Sequence, residues 1–144
     1  MRDRCRVYGS CVSRNGDAVL FFGPSGAGKS DLVLRLLGRG FDLVADDQVE
    51  IIDGFASSAG VLAGLLEVRG IGIVRLPHVP RARLALAVEL GQSAVRLPTP
   101  VIHPDLGVPL IQLDPAAGSA PDRVILALDC VLGRVEQVAG AFVT

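Results

Sequence analysis

Residues 17–40 have the sequence DAVLFFGPSGAGKSDLVLRLLGRG, and this stretch decides the fold class. Its middle part, GPSGAGKS, matches the pattern G-x-x-x-x-G-K-[ST] at every fixed position. The apolar run before the loop, Asp17–Phe22, predicts a strand. After the loop, leucines and valines recur with helical spacing, which predicts a helix from Lys29 to about Arg39. A strand, a glycine-rich loop and a helix in this order are typical of a phosphate-binding unit in an α/β protein.

The composition of the loop suits the binding of a nucleoside triphosphate. Three glycines in six residues let the backbone curl until successive N–H groups point at anionic oxygens. The helix that follows directs the partial positive charge of its N-terminus toward the same phosphates. Lys29 is predicted to contact the β- and γ-phosphates, and the Ser30 hydroxyl to take one position on Mg²⁺. The predicted nucleotide-binding residues are Gly23, Pro24, Ser25, Gly26, Ala27, Gly28, Lys29 and Ser30.

Length and composition favour a single domain over residues 1–144 with one modest core. The apolar runs are shorter than the about 20 residues of a spanning helix, and the N-terminus has no apolar stretch like that of a signal peptide. A net charge of −1 and the absence of Trp give no basis for nucleic-acid binding. The three cysteines lack the paired spacing of a disulfide framework or a zinc site. We therefore expect a cytoplasmic protein with neither a membrane nor a nucleic acid as partner.

The rest of the chain predicts interleaved strands and helices, and hence an α/β fold. The dipeptide Asn15-Gly16 predicts a hairpin turn between Asp17–Phe22 and a first arm at Cys5–Ser13. Ser119 and Asp122 have the spacing of a capping box and predict the start of a second helix. The remaining predicted elements are the strands Asp42–Ala45, Val49–Ile52, Gly72–Leu76, Arg83–Leu90 and Val108–Leu113 and the helix Ala120–Arg134.

Residues 43–50, LVADDQVE, end a predicted strand in the adjacent carboxylates Asp46 and Asp47. Ligands of open α/β sheets bind at the carboxyl ends of strands, so this pair is expected to face the crevice that holds the phosphates. One carboxylate could bind Mg²⁺, and the other could accept the proton of an attacking hydroxyl. A solvated turn is the alternative, because Asp is common in turns.

Residues 66–73, LEVRGIGI, place Glu67 and Arg69 on the same face if this stretch is extended. Their opposite charges could pair with each other at the surface. Alternatively, the carboxylate could bind the metal and the guanidinium the phosphate.

Taken together, GPSGAGKSDL, RGFDLVADDQVEI and LEVRGIGI, in this order and spacing, resemble the catalytic domain of HPr kinase/phosphorylase. That family phosphorylates a serine of HPr, the small phosphocarrier of the sugar phosphotransferase system, and reverses the reaction by phosphorolysis. The resemblance is dense from about Asp17 to Ile73 and continues in outline to about residue 130. It implies a phosphate-loop α/β domain with a mixed sheet, similar to the core of phosphoenolpyruvate carboxykinase.

The resemblance implies ATP and Mg²⁺ as cofactors and HPr or an HPr-like carrier as the partner. Asp46 matches the residue that acts as base toward the HPr serine in the kinase direction and as acid in the reverse one. The implied metal-binding residues are Ser30, Glu67 and Asp47. The implied residues near the transferred phosphate are Lys29, Arg69 and Arg96.

The chain is most similar to the short, single-domain form of the family, and it departs from the family pattern at Tyr8, where a histidine is usual. Longer relatives form hexamers, so self-association is left open, and the exchange at Tyr8 leaves the reverse reaction open. Two other functions also remain open. The chain could be a phosphate-loop kinase for a small molecule, which would need its own acceptor pocket. It could also be a nucleotide-binding regulatory module, which the exchange at Tyr8 favours.

Overall fold

The computed structural model describes residues 4–24, 26–91 and 95–143 of the chain. Within these ranges the chain forms ten strands and two α-helices. The strands are β1 (Arg4–Tyr8), β2 (Ser10–Arg14), β3 (Asp17–Phe22), β4 (Asp42–Ala45), β5 (Gln48–Ile52), β6 (Phe55–Ser58), β7 (Leu65–Val68), β8 (Gly72–Arg75), β9 (Arg81–Leu90) and β10 (Leu110–Leu113). The helices are α1 (Lys29–Leu37) and α2 (Ala120–Val131), and a 3₁₀ turn covers Gly60–Leu62. No helix in this part of the chain is long and apolar enough to cross a bilayer.

Eight of the strands form one mixed sheet in the order β1-β5-β6-β9-β3-β2-β4, with β10 paired to β9. The strands β3 and β10 run parallel to β9, and the other pairs in the sheet are antiparallel. The remaining two strands, β7 and β8, form a separate antiparallel pair. The predicted α/β class with a mixed sheet is therefore confirmed.

The hairpin predicted at Asn15-Gly16 is confirmed, but its first arm is shorter than predicted. Both turn residues have positive φ, +53° and +85°, as a two-residue type I′ turn requires. Of the predicted arm Cys5–Ser13, the β2 part pairs with β3, whereas β1 pairs with β5. The prediction of one continuous arm was wrong because the chain bends at Gly9 between the two strands.

At this bend, the hydrogen-bonded ladder between β1 and β5 continues as the ladder between β2 and β4. The β1–β5 pairing joins Tyr8 to Gln48, and the β2–β4 pairing resumes at Cys11 and Ala45. Between them, the Gly9 N–H donates to the Asp47 carbonyl at 3.0 Å, so the two segments stay in register across the bend. Residues 4–14 of β1 and β2 thus pair along residues 42–52 of β4 and β5. Because β2 also connects to β5 through β3, β9 and β6, the strand pairings form a closed cycle, and the sheet curls upon itself.

The curled sheet separates two apolar cores. One core lies between the sheet and the helices and contains Phe21 with Leu32 and Leu36 of α1 and Leu128 of α2. The other is formed by the opposite sheet face, with members such as Leu20. Full burial of a leucine side chain contributes about 1.5–3 kcal/mol, so the first core fixes α1 against the sheet. The phosphate loop, which joins β3 to α1, is thereby held at one edge of the sheet.

The second helix begins at Ala120 as predicted, but the capping box is not formed. The Ser119 side chain caps no backbone N–H; its Oγ instead accepts a hydrogen bond from Arg123 Nε at 2.9 Å. A proline in the first helical turn removes one N–H that would otherwise need a partner. The helix ends at Val131, three residues before the predicted Arg134.

The sequence missed β6. Asp53 and Gly54, which follow β5, both have positive φ, +51° and +83°, and form a second two-residue hairpin turn. The β6 sequence FASS has little β-branched or aromatic content, so its strand character depends on its pairing with β5 and β9.

Candidate active site

A cleft of about 860 Å³ lies at the edge of the sheet where β3 gives way to the phosphate loop. Its lining comes from the phosphate loop and the start of α1, the β4–β5 turn, the β7–β8 pair, Ser10 of β2 and Leu62 of the 3₁₀ turn. The predicted site residues on its lining are Gly26, Gly28, Lys29, Ser30, Asp46, Asp47, Glu67 and Arg69. The side chains that the sequence had proposed from three separate motifs thus share one cavity.

The phosphate loop is closed by its own backbone. The Ala27 N–H donates to the Pro24 carbonyl at 3.0 Å, and Gly28 caps α1 with a left-handed φ of +102°. At Gly23 a Cβ would lie 2.8 Å from the Leu90 carbonyl oxygen, so the loop begins in close contact with β9. Glycine is therefore needed at both ends of the loop.

Lys29 lies at the first position of α1 with its side chain folded back over the loop. Its Nζ donates to the carbonyl oxygens of Gly23 at 3.1 Å and Pro24 at 3.2 Å. Gly23, Pro24 and Ala27 belong to the loop but are not among the described residues that line the cleft. The remaining predicted loop residue, Ser25, lies outside the described part of the chain.

The paired aspartates occupy a tight turn between β4 and β5. Asp47 has a φ of +74°, in the left-handed region that few residues other than glycine adopt. The Gln48 N–H donates to the Asp46 carbonyl at 3.0 Å, and Gly9 holds the Asp47 carbonyl from the neighbouring strand. Backbone in a sparsely populated region that is held by surrounding contacts is frequent at functional sites. The turn is thus joined to the sheet ladder, with Asp46 half-buried and Asp47 exposed.

Two hydroxyl groups contact the Asp46 carboxylate. Ser10 Oγ donates to Oδ1 at 2.6 Å, and Ser30 Oγ lies 3.2 Å from Oδ1 and 3.3 Å from Oδ2. The predicted base and the predicted metal-binding hydroxyl are therefore in direct contact. Sequence analysis missed Ser10, although a serine that precedes two apolar residues in a buried strand, Ser10-Cys11-Val12, was a usable signal.

The predicted metal-binding residues Ser30, Asp47 and Glu67 all line the cleft. They offer only oxygen donors, which Mg²⁺ prefers, and Mg²⁺ commonly takes one or two carboxylates together with water and substrate phosphate. In the described ranges no group of three or more His, Cys, Asp or Glu side chains is close enough to hold a metal unaided. The donor set fits a magnesium ion that binds with a nucleotide better than a metal held by protein ligands alone.

Arg69 and Arg96, both predicted to lie near the transferred phosphate, differ in position. Arg69 follows β7 and lines the cleft beside Glu67. Arg96 is exposed and is not among the described residues that form the cleft, so its role stays a prediction. Tyr8, which stands where the resemblance implies a histidine, is 69% exposed and likewise lies off the cleft lining.

The other titratable groups of note lie away from the cleft lining. Complete burial raises the pKa of the Cys11 thiol, which makes it a poor nucleophile at neutral pH. His78 Nδ1 lies 3.1 Å from the Leu76 carbonyl oxygen, and His103 Nδ1 accepts backbone N–H groups of the turn that follows it. Both histidines therefore make local contacts with backbone groups of their own loops.

Comparison with known proteins finds similarity to one family. Residues 1–82 match the family model described as the HPr serine kinase C-terminal domain. An HPr kinase/phosphorylase of Clostridium tetani is 47% identical over 78 residues, which cover 51% of this chain and 26% of that protein. The HPr kinase/phosphorylase of Bordetella pertussis is 37% identical over 134 residues, which cover 78% of this chain and 43% of that protein. The chain therefore spans less than half the length of these relatives.

A solved structure described as the Hpr(Ser) kinase/phosphatase from Coxiella burnetii superimposes with a TM-score of 0.71. The match covers 86% of this chain and 87% of that one, with 23% sequence identity, and it supports the fold. The family model covers more than half of the chain and includes the phosphate loop, the paired aspartates and LEVRGIGI. The chain belongs to the HPr kinase C-terminal domain family.

Proposed function

We propose that this chain is an ATP- and Mg²⁺-dependent kinase that phosphorylates a serine of HPr or of an HPr-like phosphocarrier. The family relationship supports the reaction class, since the relatives carry the name HPr kinase/phosphorylase. The observation that carries the proposal is the shared cleft, in which Lys29, Asp46 and Glu67 line one cavity. We also propose that the fold is a phosphate-loop core similar to that of phosphoenolpyruvate carboxykinase.

In the proposed reaction the phosphate loop binds the triphosphate through its backbone N–H groups, and Lys29 adds a positive charge. Asp46 accepts the proton of the carrier serine as the serine oxygen attacks the γ-phosphorus and ADP leaves. Arg69 stabilises the charge on the phosphoryl group during transfer. Ser30, Asp47 and Glu67 would hold Mg²⁺, which when bound neutralises the charge of the phosphates.

The reverse reaction uses the same residues. Asp46 would return the proton to the serine oxygen while the phosphoryl group passes to inorganic phosphate, which yields pyrophosphate. The phosphate acceptor differs from ADP, but the serine oxygen regains in this direction the proton that it lost in the other, so the same carboxylate serves as base in one direction and as acid in the other. We include this phosphorolysis in the proposal, since the curated relatives are named as kinase/phosphorylases.

The test is the intact mass of purified HPr after incubation with the protein, ATP and Mg²⁺. We expect a gain of one phosphate on a serine, and loss of at least about 100-fold of the rate in Asp46→Asn, with nucleotide binding retained. Asp42→Asn is the matched control, because this exposed aspartate begins β4, the strand that ends just before Asp46. We expect it to retain the wild-type rate.

Two outcomes would contradict the proposal. Transfer to nucleosides or short metabolites at a higher rate than to HPr would favour a small-molecule kinase. Nucleotide binding without transfer to any acceptor would favour a regulatory module. Loss of nucleotide binding in Asp46→Asn would instead mean that Asp46 supports the structure of the loop and does not act as the base.

A further inference from the structure

We infer that Ser10 is a positioning residue for Asp46, holding one carboxylate oxygen so that the other stays directed at the acceptor. The inference rests on the proposed function, in which Asp46 takes the proton of the carrier serine. Ser10 lies on β2 and comes to Asp46 only through the sheet, since 36 residues separate the two along the chain.

The hydrogen bond between the two side chains is short, and only one of them can be its donor. A carboxylate can only accept, so the Ser10 hydroxyl is the donor in the 2.6 Å bond to Oδ1. This length lies within the range of about 2.5–2.7 Å for a hydroxyl that donates to a carboxylate. The contacts from Ser30 are longer, 3.2 and 3.3 Å, and are shared between both oxygens. Oδ1 is thus held by a dedicated donor, whereas Oδ2 has only the longer shared contact.

The two serines also differ in what else they are proposed to bind. Ser30 belongs to the phosphate loop and is one of the proposed magnesium-binding groups. Ser10 has no such second role, so its hydroxyl can stay on Asp46 throughout the reaction. Its burial supports this, since Ser10 is 1% exposed and water cannot readily compete for the hydroxyl.

The backbone around Ser10 is fixed from two sides. On β3, Phe21 is its register partner. The residue before it, Gly9, leaves no space for a side chain and donates to the Asp47 carbonyl. A donor on a paired strand holds its partner more precisely than a donor on a loop, which favours a role in positioning.

The experiment compares three variants in the HPr phosphorylation assay. Ser10→Ala removes the donor, Ser10→Thr keeps it, and Ser13→Ala is the matched control. Ser13 lies on the same strand, is also 1% exposed, and is not among the residues that line the cleft. We expect Ser10→Ala to lower kcat about 10- to 100-fold while KM for ATP stays within about twofold, because the loop is untouched. Ser10→Thr should restore most of kcat, and Ser13→Ala should keep it.

A second readout does not depend on activity. A double-mutant cycle of Ser10→Ala and Asp46→Ala in urea unfolding should show coupling between the two residues, because each removes the partner of the other. A coupling free energy within error of zero would show that the two side chains do not interact in the folded protein. If the two residues are coupled but Ser10→Ala keeps the wild-type kcat, Ser10 contributes to packing and does not position Asp46. The same conclusion would follow if Ser10→Ala raised KM and Ser10→Thr failed to restore it. If the wild-type protein does not phosphorylate HPr, the proposed function is overturned. If the wild type is active and Ser10→Ala is equally active, only the inference about Ser10 is overturned.

Discussion

Replacing Gly9 with alanine is expected to affect both the stability and the activity of this protein. An added Cβ would lie 2.3 Å from the Phe21 carbonyl oxygen and 3.4 Å from its carbonyl carbon. Real Cβ atoms essentially never approach within 3.0 Å, so the two strands would have to separate by at least about 0.7 Å. The obstacle is backbone and not the end of a flexible side chain. Overpacking of this kind typically costs about 1–3 kcal/mol.

The same displacement would reach the aspartate turn. Gly9 N–H holds the Asp47 carbonyl, so a shift of Gly9 moves the turn that carries Asp46. Since a misplacement of about 1 Å can cost about 100-fold in rate, we expect Gly9→Ala to lower kcat at least about tenfold.

Urea unfolding measures the loss of stability, and HPr phosphorylation measures the loss of activity. Gly118→Ala is the matched control, because nothing lies within 4 Å of its added Cβ and its φ is outside the left-handed region. That variant should stay within about 0.5 kcal/mol of the wild type. The reasoning would be refuted if Gly9→Ala unfolded at the wild-type urea concentration and retained the wild-type kcat.

Three further predictions concern the cores and the sheet edge. Leu128→Ala should lower the free energy of unfolding by about 2–5 kcal/mol in urea titration, because the side chain is fully buried between α2 and the sheet. Hydrogen bonding by Arg6 lowers the pKa of Glu50 below its ordinary value. This stabilisation is present above that value and lost as the pH falls through the lowered pKa, so the difference in urea midpoint between wild type and Glu50→Gln should shrink from about pH 6 to about pH 3. In the folded protein at about pH 8, iodoacetamide should modify the half-buried Cys5 but not the buried Cys11, because burial raises the pKa of the Cys11 thiol. Peptide mapping would show which thiol reacts.

Local chemistry explains which elements could be predicted from the sequence. β3 and β4 have the predicted bounds, and α1 begins at the predicted Lys29, because each is specified by residues next to it in the chain. The phosphate loop needs glycines, lysine and serine at fixed spacing whatever surrounds it. A two-residue turn such as Asn15-Gly16 likewise depends on the backbone freedom of its own residues. One error arose where a second local partner competes, since the Ser119 hydroxyl contacts the Arg123 side chain and not the backbone.

The sequence by itself determined the motifs that make up the candidate site, because the residue types at each motif suit phosphate, metal and proton chemistry. Only the tertiary structure decided that β1 and β2 form a bent ladder with β4 and β5, that Ser10 meets Asp46, and that Arg96 lies off the cleft lining. Strand pairing joins residues far apart in the chain through backbone groups that every residue shares. Side-chain identity therefore carries little information about which strands will meet, and the contacts around Asp46 could be read only from the folded chain.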